Sequence, residues 1–126
     1  MNDVSKFHLF GAAHIDRIGR VFEEPIRGNS NPGRFRNTPG GASLNVASTL
    51  ATLGKTACLY SILGNDLEQH ALKAVANKRG FSLDAQISNE YPTASYTSIL
   101  DHHGELVIAL ADMQIYDVFD FDITDK

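Results

Sequence analysis

The chain has 126 residues, 43% of them hydrophobic and 21% charged, with a formal net charge of −4. That balance belongs to a globular protein; its acidic excess gives no general attraction to nucleic acid or an anionic membrane, and no run approaches the roughly 18 apolar residues of a spanning helix. The single cysteine, Cys58, excludes an internal disulfide and a cysteine-pair zinc site, and within the apolar run ACLYSIL it reads as a small buried hydrophobe.

The first 14 residues, MNDVSKFHLFGAAH, show no basic segment followed by a long apolar run, so a cytoplasmic protein is expected. Residues 7–13 (FHLFGAA) read as a buried strand ending in small residues. Residues 17–24 alternate Ile18, Arg20 and Phe22 with other residues and suggest a half-exposed strand. Residues 25–33 (PIRGNSNPG) are loop by composition, and 34–38 pair back as a further strand.

The period then changes. Over 43–53, Val46, Ala47, Leu50 and Leu53 fall on one helical face, and Asn45, Ser48, Thr49 and Thr52 lie away from it. Gly54 stops that helix. Residues 56–63 (TACLYSIL) read as a buried strand. Gly64-Asn65-Asp66 supplies a turn and a cap for a second helix carrying Leu67, Ala71, Ala74, Val75 and Lys78, with Gly80 at its end. A short strand follows near 83–87. Helices between buried strands imply parallel pairing. Residues 94–100 (ASYTSIL) and 105–110 (ELVIAL) form a hairpin with Gly104 in its turn. Residues 116–126 show no clear element.

Three core strands with two helices leave a parallel sheet with little cover and an open edge. The expectation is the first part of a larger domain, or a chain that completes itself by association.

Two places invite chemistry. Gly40 and Gly41 follow Pro39 immediately before a helix. Glycine lets a ligand lie against the main chain, and a helix start offers free N–H groups, so the pair suits an oxygen-rich ligand or an anion. Asn45, one turn in, adds a donor and acceptors. A tight strand-to-helix turn with a solvent-facing Asn fits the same spacing. The run is neither a GxxxxGK[ST] loop nor a GxGxxG fingerprint. Asp16 stands at the expected carboxyl end of the first strand, where ligands sit in open α/β sheets, and its carboxylate can accept two hydroxyls of a diol. A surface-loop Asp fits as well. The five histidines share no metal-ligand spacing, and Arg17, Arg20, Arg27, Arg34 and Arg36 read as a solvated surface.

Taken together, GAAHID (11–16), PGGASLNVASTLATLG (39–54) and GND (64–66) resemble the ribokinase-like, or PfkB, carbohydrate kinase family. Its first signature is Gly-Gly, an Asn four residues on, small residues, then Leu and Gly; Gly40, Gly41, Asn45, Ala47, Leu50, Leu53 and Gly54 match it. The pseudouridine kinase branch is the nearer likeness, through SNPG (30–33), TPGG (38–41), ASYTSILD (94–101), Gly104-Glu105 and ADM (111–113). His14 departs from the Asn common before the Asp.

The resemblance implies an α/β fold: a parallel Rossmann-like sheet with helices plus a small antiparallel β lid. The core would take about 5–16 and 40–90, and the lid strands about 17–38 and 93–112. It implies a phosphotransferase that binds a small sugar or nucleoside through Asp16, Gly40, Gly41 and Asn45, with His14, Tyr96 and Met113 as further substrate or lid residues and no metal ligand. It also implies ATP and Mg for the complete enzyme. The family's Gly-Ala-Gly-Asp motif, which carries the catalytic base and anion hole, is not in this sequence. No catalytic residue is therefore assigned, no cofactor is expected on this chain alone, and the 126 residues are expected to be an N-terminal portion, inactive by itself. A homodimer through the lid strands is expected. The other readings are a sugar-binding module without chemistry and a lid-mediated dimerisation protein.

Overall fold

A computed structural model describes residues 5–122. Residues 1–4, at the start of the leader reading, and 123–126, which include Asp125 of the acidic tail, lie outside it. The strands are β1 (Lys6–Phe10), β2 (His14–Val21), β3 (Gly33–Gly40), β4 (Thr56–Gly64), β5 (Ser82–Ser88), β6 (Ser95–Leu100) and β7 (Leu106–Asp112). The helices are α1 (Ala42–Thr52) and α2 (Leu67–Arg79), and a 3-10 turn spans Gln114–Val118. Among the described residues two sheets form, one in the order β1-β4-β5 and one in the order β3-β2-β6-β7.

The first sheet is parallel throughout, as helices between buried strands require. Its central strand β4 is buried at every position after Thr56, which is why it reads as an unbroken apolar run. Ala57, Leu59 and Leu63 pack under Leu44 and Ala47 of α1 and Leu72 and Ala76 of α2. Each fully buried leucine there contributes about 1.5–3 kcal/mol. On the other face Ile62 packs with Ala94 and Ile115, and Tyr60 stacks on Phe10 with centroids 4.8 Å apart. Cys58 is free and buried, as expected.

The second sheet differs from the expected antiparallel one. β2·β3 and β6·β7 are antiparallel, but the central pairing β2·β6 is parallel. These two strands are far apart in sequence, so no tight turn dictates their direction.

Several boundaries move. The first strand ends at Phe10, and Gly11-Ala12-Ala13 is a bend. The bend is close-packed: a Cβ on Gly11 would stand 2.1 Å from Ser43 Oγ. Asp16 is therefore the third residue of β2, not the end of strand one. Gly40 closes β3 instead of lying in the turn, and Pro39 is tolerated because β3 is an edge. The segment His14–Asp16, expected in the core, and Gly40 pair in the second sheet.

Both helices are rotated from their expected faces. In α1, Leu44 and Ala47 are buried, while Val46, and Leu53 just past the helix end, are exposed. In α2, Gln69, Leu72 and Ala76 are buried and Leu67 is 83% exposed. Residues 116–126, read as elementless, begin inside the 3-10 turn, whose Ile115 is buried.

Candidate functional site

Strand geometry places His14 and Asp16 on one face of β2, since alternate residues share a face. Register adds their neighbours: His14 lies opposite Gly40 and Asp16 opposite Thr38 on β3, with Tyr96 of β6 beside Asp16 on the other flank. His14 Nε2 and Asp16 Oδ1 are 2.9 Å apart. Gly40 leaves the room for this pair. A Cβ there would stand 2.4 Å from Asp16 Oδ2 and 2.8 Å from His14 Nε2.

Gly41 has a different task. Its φ of 108° is a conformation that side chains disfavour, and a Cβ would stand 2.3 Å from the Ala12 carbonyl oxygen. It is the N-cap of α1, where no side chain makes a capping bond. The first-turn N–H groups have no intrahelical acceptor by the geometry of any helix. The helix therefore opens, uncapped, directly after the Gly40 surface. α2 is the contrast: Asp66 caps it by accepting from Gln69 N–H at 3.0 Å.

The structure thus brings His14, Asp16 and Gly40 into contact, with Gly41 next in the chain and Tyr96 alongside in register. Asn45 sits one turn into α1, exposed, its N–H donating to the Gly41 carbonyl at 3.0 Å. Met113 follows β7 and packs against the cluster of Ile62, Ala94 and Ile115. The His14–Asp16 bond and the fit of Gly40 over it were missed by sequence reasoning. The signal was the two-residue spacing, which becomes legible once residue 14 is placed in a strand.

Two supports hold the surroundings. Asp66 also accepts from Thr93 N–H and from its hydroxyl, at 2.8 and 2.7 Å, which ties the start of α2 to the chain entering β6. Burial pushes the Asp66 carboxyl up, but the Thr93 and Gln69 bonds and nearby His70 outweigh it and hold the group below the usual carboxylate range. Tyr116 donates its hydroxyl to the Ala13 carbonyl at 3.1 Å. Burial pushes its phenol up to about 12, so it stays a neutral donor.

A groove of about 750 Å³ lies elsewhere. Gly19, Phe35, Ile99 and Ile108 line it with the 25–31 loop; Gly19 and Asp16 are three residues apart on β2 and so face opposite ways. The groove is largely apolar in its lining and, unlike the surface around Asp16, carries no carboxylate. Among the described residues no group of three or more His, Cys, Asp or Glu side chains is placed to hold a metal, and no helix is long and apolar enough to cross a membrane.

The arrangement suits hydroxyl recognition: a carboxylate acceptor, bare backbone and an open helix start. Residues 5–120 match the pfkB family carbohydrate kinase profile. The chain is 39% identical over 108 residues to the pseudouridine kinase of Escherichia coli K12, covering 85% of this chain and 34% of that one. A carbohydrate kinase from Agrobacterium tumefaciens superposes with a TM-score of 0.83 at 37% identity, over 88% of this chain and 36% of that one. A fructokinase from Xylella fastidiosa, solved with bound ATP, superposes with a TM-score of 0.68 at 27% identity, over 86% and 33%. The chain spans about a third of the length of these relatives. With nearly its whole length matched, the chain belongs to the PfkB family of carbohydrate kinases.

Proposed function

We propose that this chain forms the substrate-binding and lid portion of a cytoplasmic sugar or nucleoside kinase. The complete enzyme would move the γ-phosphate of ATP to a hydroxyl of a ribose-type substrate, and the likeness to a pseudouridine kinase favours a pseudouridine-like nucleoside. One observation carries the reading: the methyl-free surface of Gly40 encloses the His14–Asp16 pair beside the uncapped start of α1. Asp16 accepts substrate hydroxyls, the Gly40 and Gly41 backbone lies against the sugar, and Asn45 adds a donor and an acceptor. Tyr96 flanks the ligand, and Met113, which follows β7 at the same end of the second sheet as His14, is a further substrate or lid residue. That sheet closes over the substrate and excludes water, which otherwise competes for the phosphoryl group. Since His14, Asp16 and Gly40 all pair within it, the lid in this reading begins at His14 and reaches Gly40.

Phosphoryl transfer also needs a positioned base and neutralised charge. Among the described residues no group of three His, Cys, Asp or Glu side chains is placed to hold a metal, so no step through ATP or Mg²⁺ is assigned to the side chains around Asp16. In this reading those groups and the catalytic base belong to the part of the relatives' length that this chain does not span, and the chain alone is inactive. Thermal melts with pseudouridine, ribose and a non-sugar control test the binding. A ligand at 100 times its Kd should stabilise the fold by about 2.7 kcal/mol; no shift with any ribose-type compound contradicts the reading. ATP-dependent phosphorylation by the 126-residue protein contradicts the inactivity.

A second reading, self-association through the lid, is favoured by the apolar face carrying Phe35, Ile108 and Leu110, which are 66%, 64% and 70% exposed.

A further inference from the structure

We propose that His14 is a positioning residue of this site: its Nε2–H donates to Asp16 Oδ1 and fixes the carboxylate with Oδ2 over the bare Cα of Gly40. The geometry dictates the tautomer. His14 Nδ1 is closed to solvent and has no hydrogen-bond partner among the described residues. A proton on Nδ1 would leave a buried N–H orphaned and would turn the Nε2 lone pair toward a carboxylate oxygen 2.9 Å away. A proton on Nε2 instead makes a charge-assisted bond and leaves on Nδ1 only an unfilled acceptor, which is the less costly orphan.

The fit is tight on every side the structure defines. The His14 side chain is 12% exposed and that of Asp16 34%, so the imidazole is the buried brace and the carboxylate the more open partner. Gly40 lies opposite His14 in register, and its missing Cβ is what lets both side chains take these positions. A carboxylate held in one rotamer spares a bound diol the cost of freezing it. His14 then acts through Asp16 and is not required to touch the ligand. The consequence for sugar affinity rests on the proposed substrate site; the bond itself does not.

The test has two arms, both on the full 126-residue chain. Long-range ¹H–¹⁵N spectra of the histidine side chains, in wild type and Asp16→Ala, read the bond without any ligand. The expected result is an Nε2–H tautomer for His14 with a slowly exchanging proton that loses its protection in Asp16→Ala. An Nδ1–H tautomer, or a His14 signal indifferent to Asp16→Ala, overturns the proposal. Calorimetric titration with ribose and with 2-deoxyribose reads the consequence in His14→Ala, His14→Gln and Asp16→Ala, each checked for an unchanged melting curve. Loss of one hydrogen bond to a charged group should weaken ribose roughly tenfold in His14→Ala, with partial recovery in His14→Gln. If Asp16→Ala abolishes ribose binding while His14→Ala leaves it unchanged, the positioning role is overturned. If wild type does not bind ribose, or Asp16→Ala binds it as wild type does, the sugar-site reading fails, and the spectra still decide the role of His14.

Discussion

A methyl group at residue 40 and one at residue 41 meet different obstacles, and the difference separates function from stability. At Gly40 the obstacles are the ends of two side chains, Asp16 Oδ2 and His14 Nε2. They can swing away, so Gly40→Ala should fold with a loss of about 1 kcal/mol or less while displacing the His14–Asp16 pair. At Gly41 the obstacles are the Ala12 carbonyl and a φ of 108°, neither of which yields cheaply. Gly41→Ala should cost about 1–3 kcal/mol of stability. Urea melts of both variants, beside ribose titration of Gly40→Ala, check the contrast; equal destabilisation of the two would contradict it. The glycine pair was legible in the sequence because two glycines before a helix exceed what a turn needs. The partnership of His14 with Asp16 was not. The run FHLFGAA continues apolar through residue 13, which hides the bend at Gly11 and with it the start of β2.

The elements were legible by type and less so by face. α1 carries Leu44, Val46, Ala47, Leu50 and Ala51, with Leu53 just past its end, so more than one apolar stripe can be drawn around it; packing selects the one through Leu44 and Ala47. In α2 a polar residue, Gln69, is buried while Leu67 is exposed, an inversion that no hydrophobic period shows. The Asp66 cap was readable as a cap, but its two bonds to Thr93 join residues 27 apart and leave no local trace. Asp66→Ala removes both and the cap, and should cost about 1–3 kcal/mol at pH 7. The sign with pH follows from its lowered carboxyl. The stabilisation is complete above the unfolded carboxylate value of about 3.9 and is lost as pH falls through the lower folded value. Urea melts between pH 6 and pH 3 should show wild type losing this increment and approaching the variant; a constant gap would refute it.

For the whole molecule, the second sheet has two unlike faces. One carries His14, Asp16 and Gly40; the other carries Phe35, Ile99 and Ile108 beside the 750 Å³ groove. In the self-association reading this apolar face is the contact surface. If the lid pairs with a second copy, sedimentation should show a concentration-dependent dimer that Phe35→Lys or Ile108→Lys converts to monomer; a wild-type monomer at every concentration removes that reading. The parallel β2·β6 pairing joins strands some eighty residues apart, so neither its direction nor the resulting opposition of faces is written in any local run. The central claim concerns the first face, and an amide chemical-shift map during titration with ribose tests it most directly. The account predicts that the shifts concentrate at His14–Asp16, Gly40–Asn45 and Tyr96; shifts confined to the Phe35 groove, or none at saturating ribose, would contradict it.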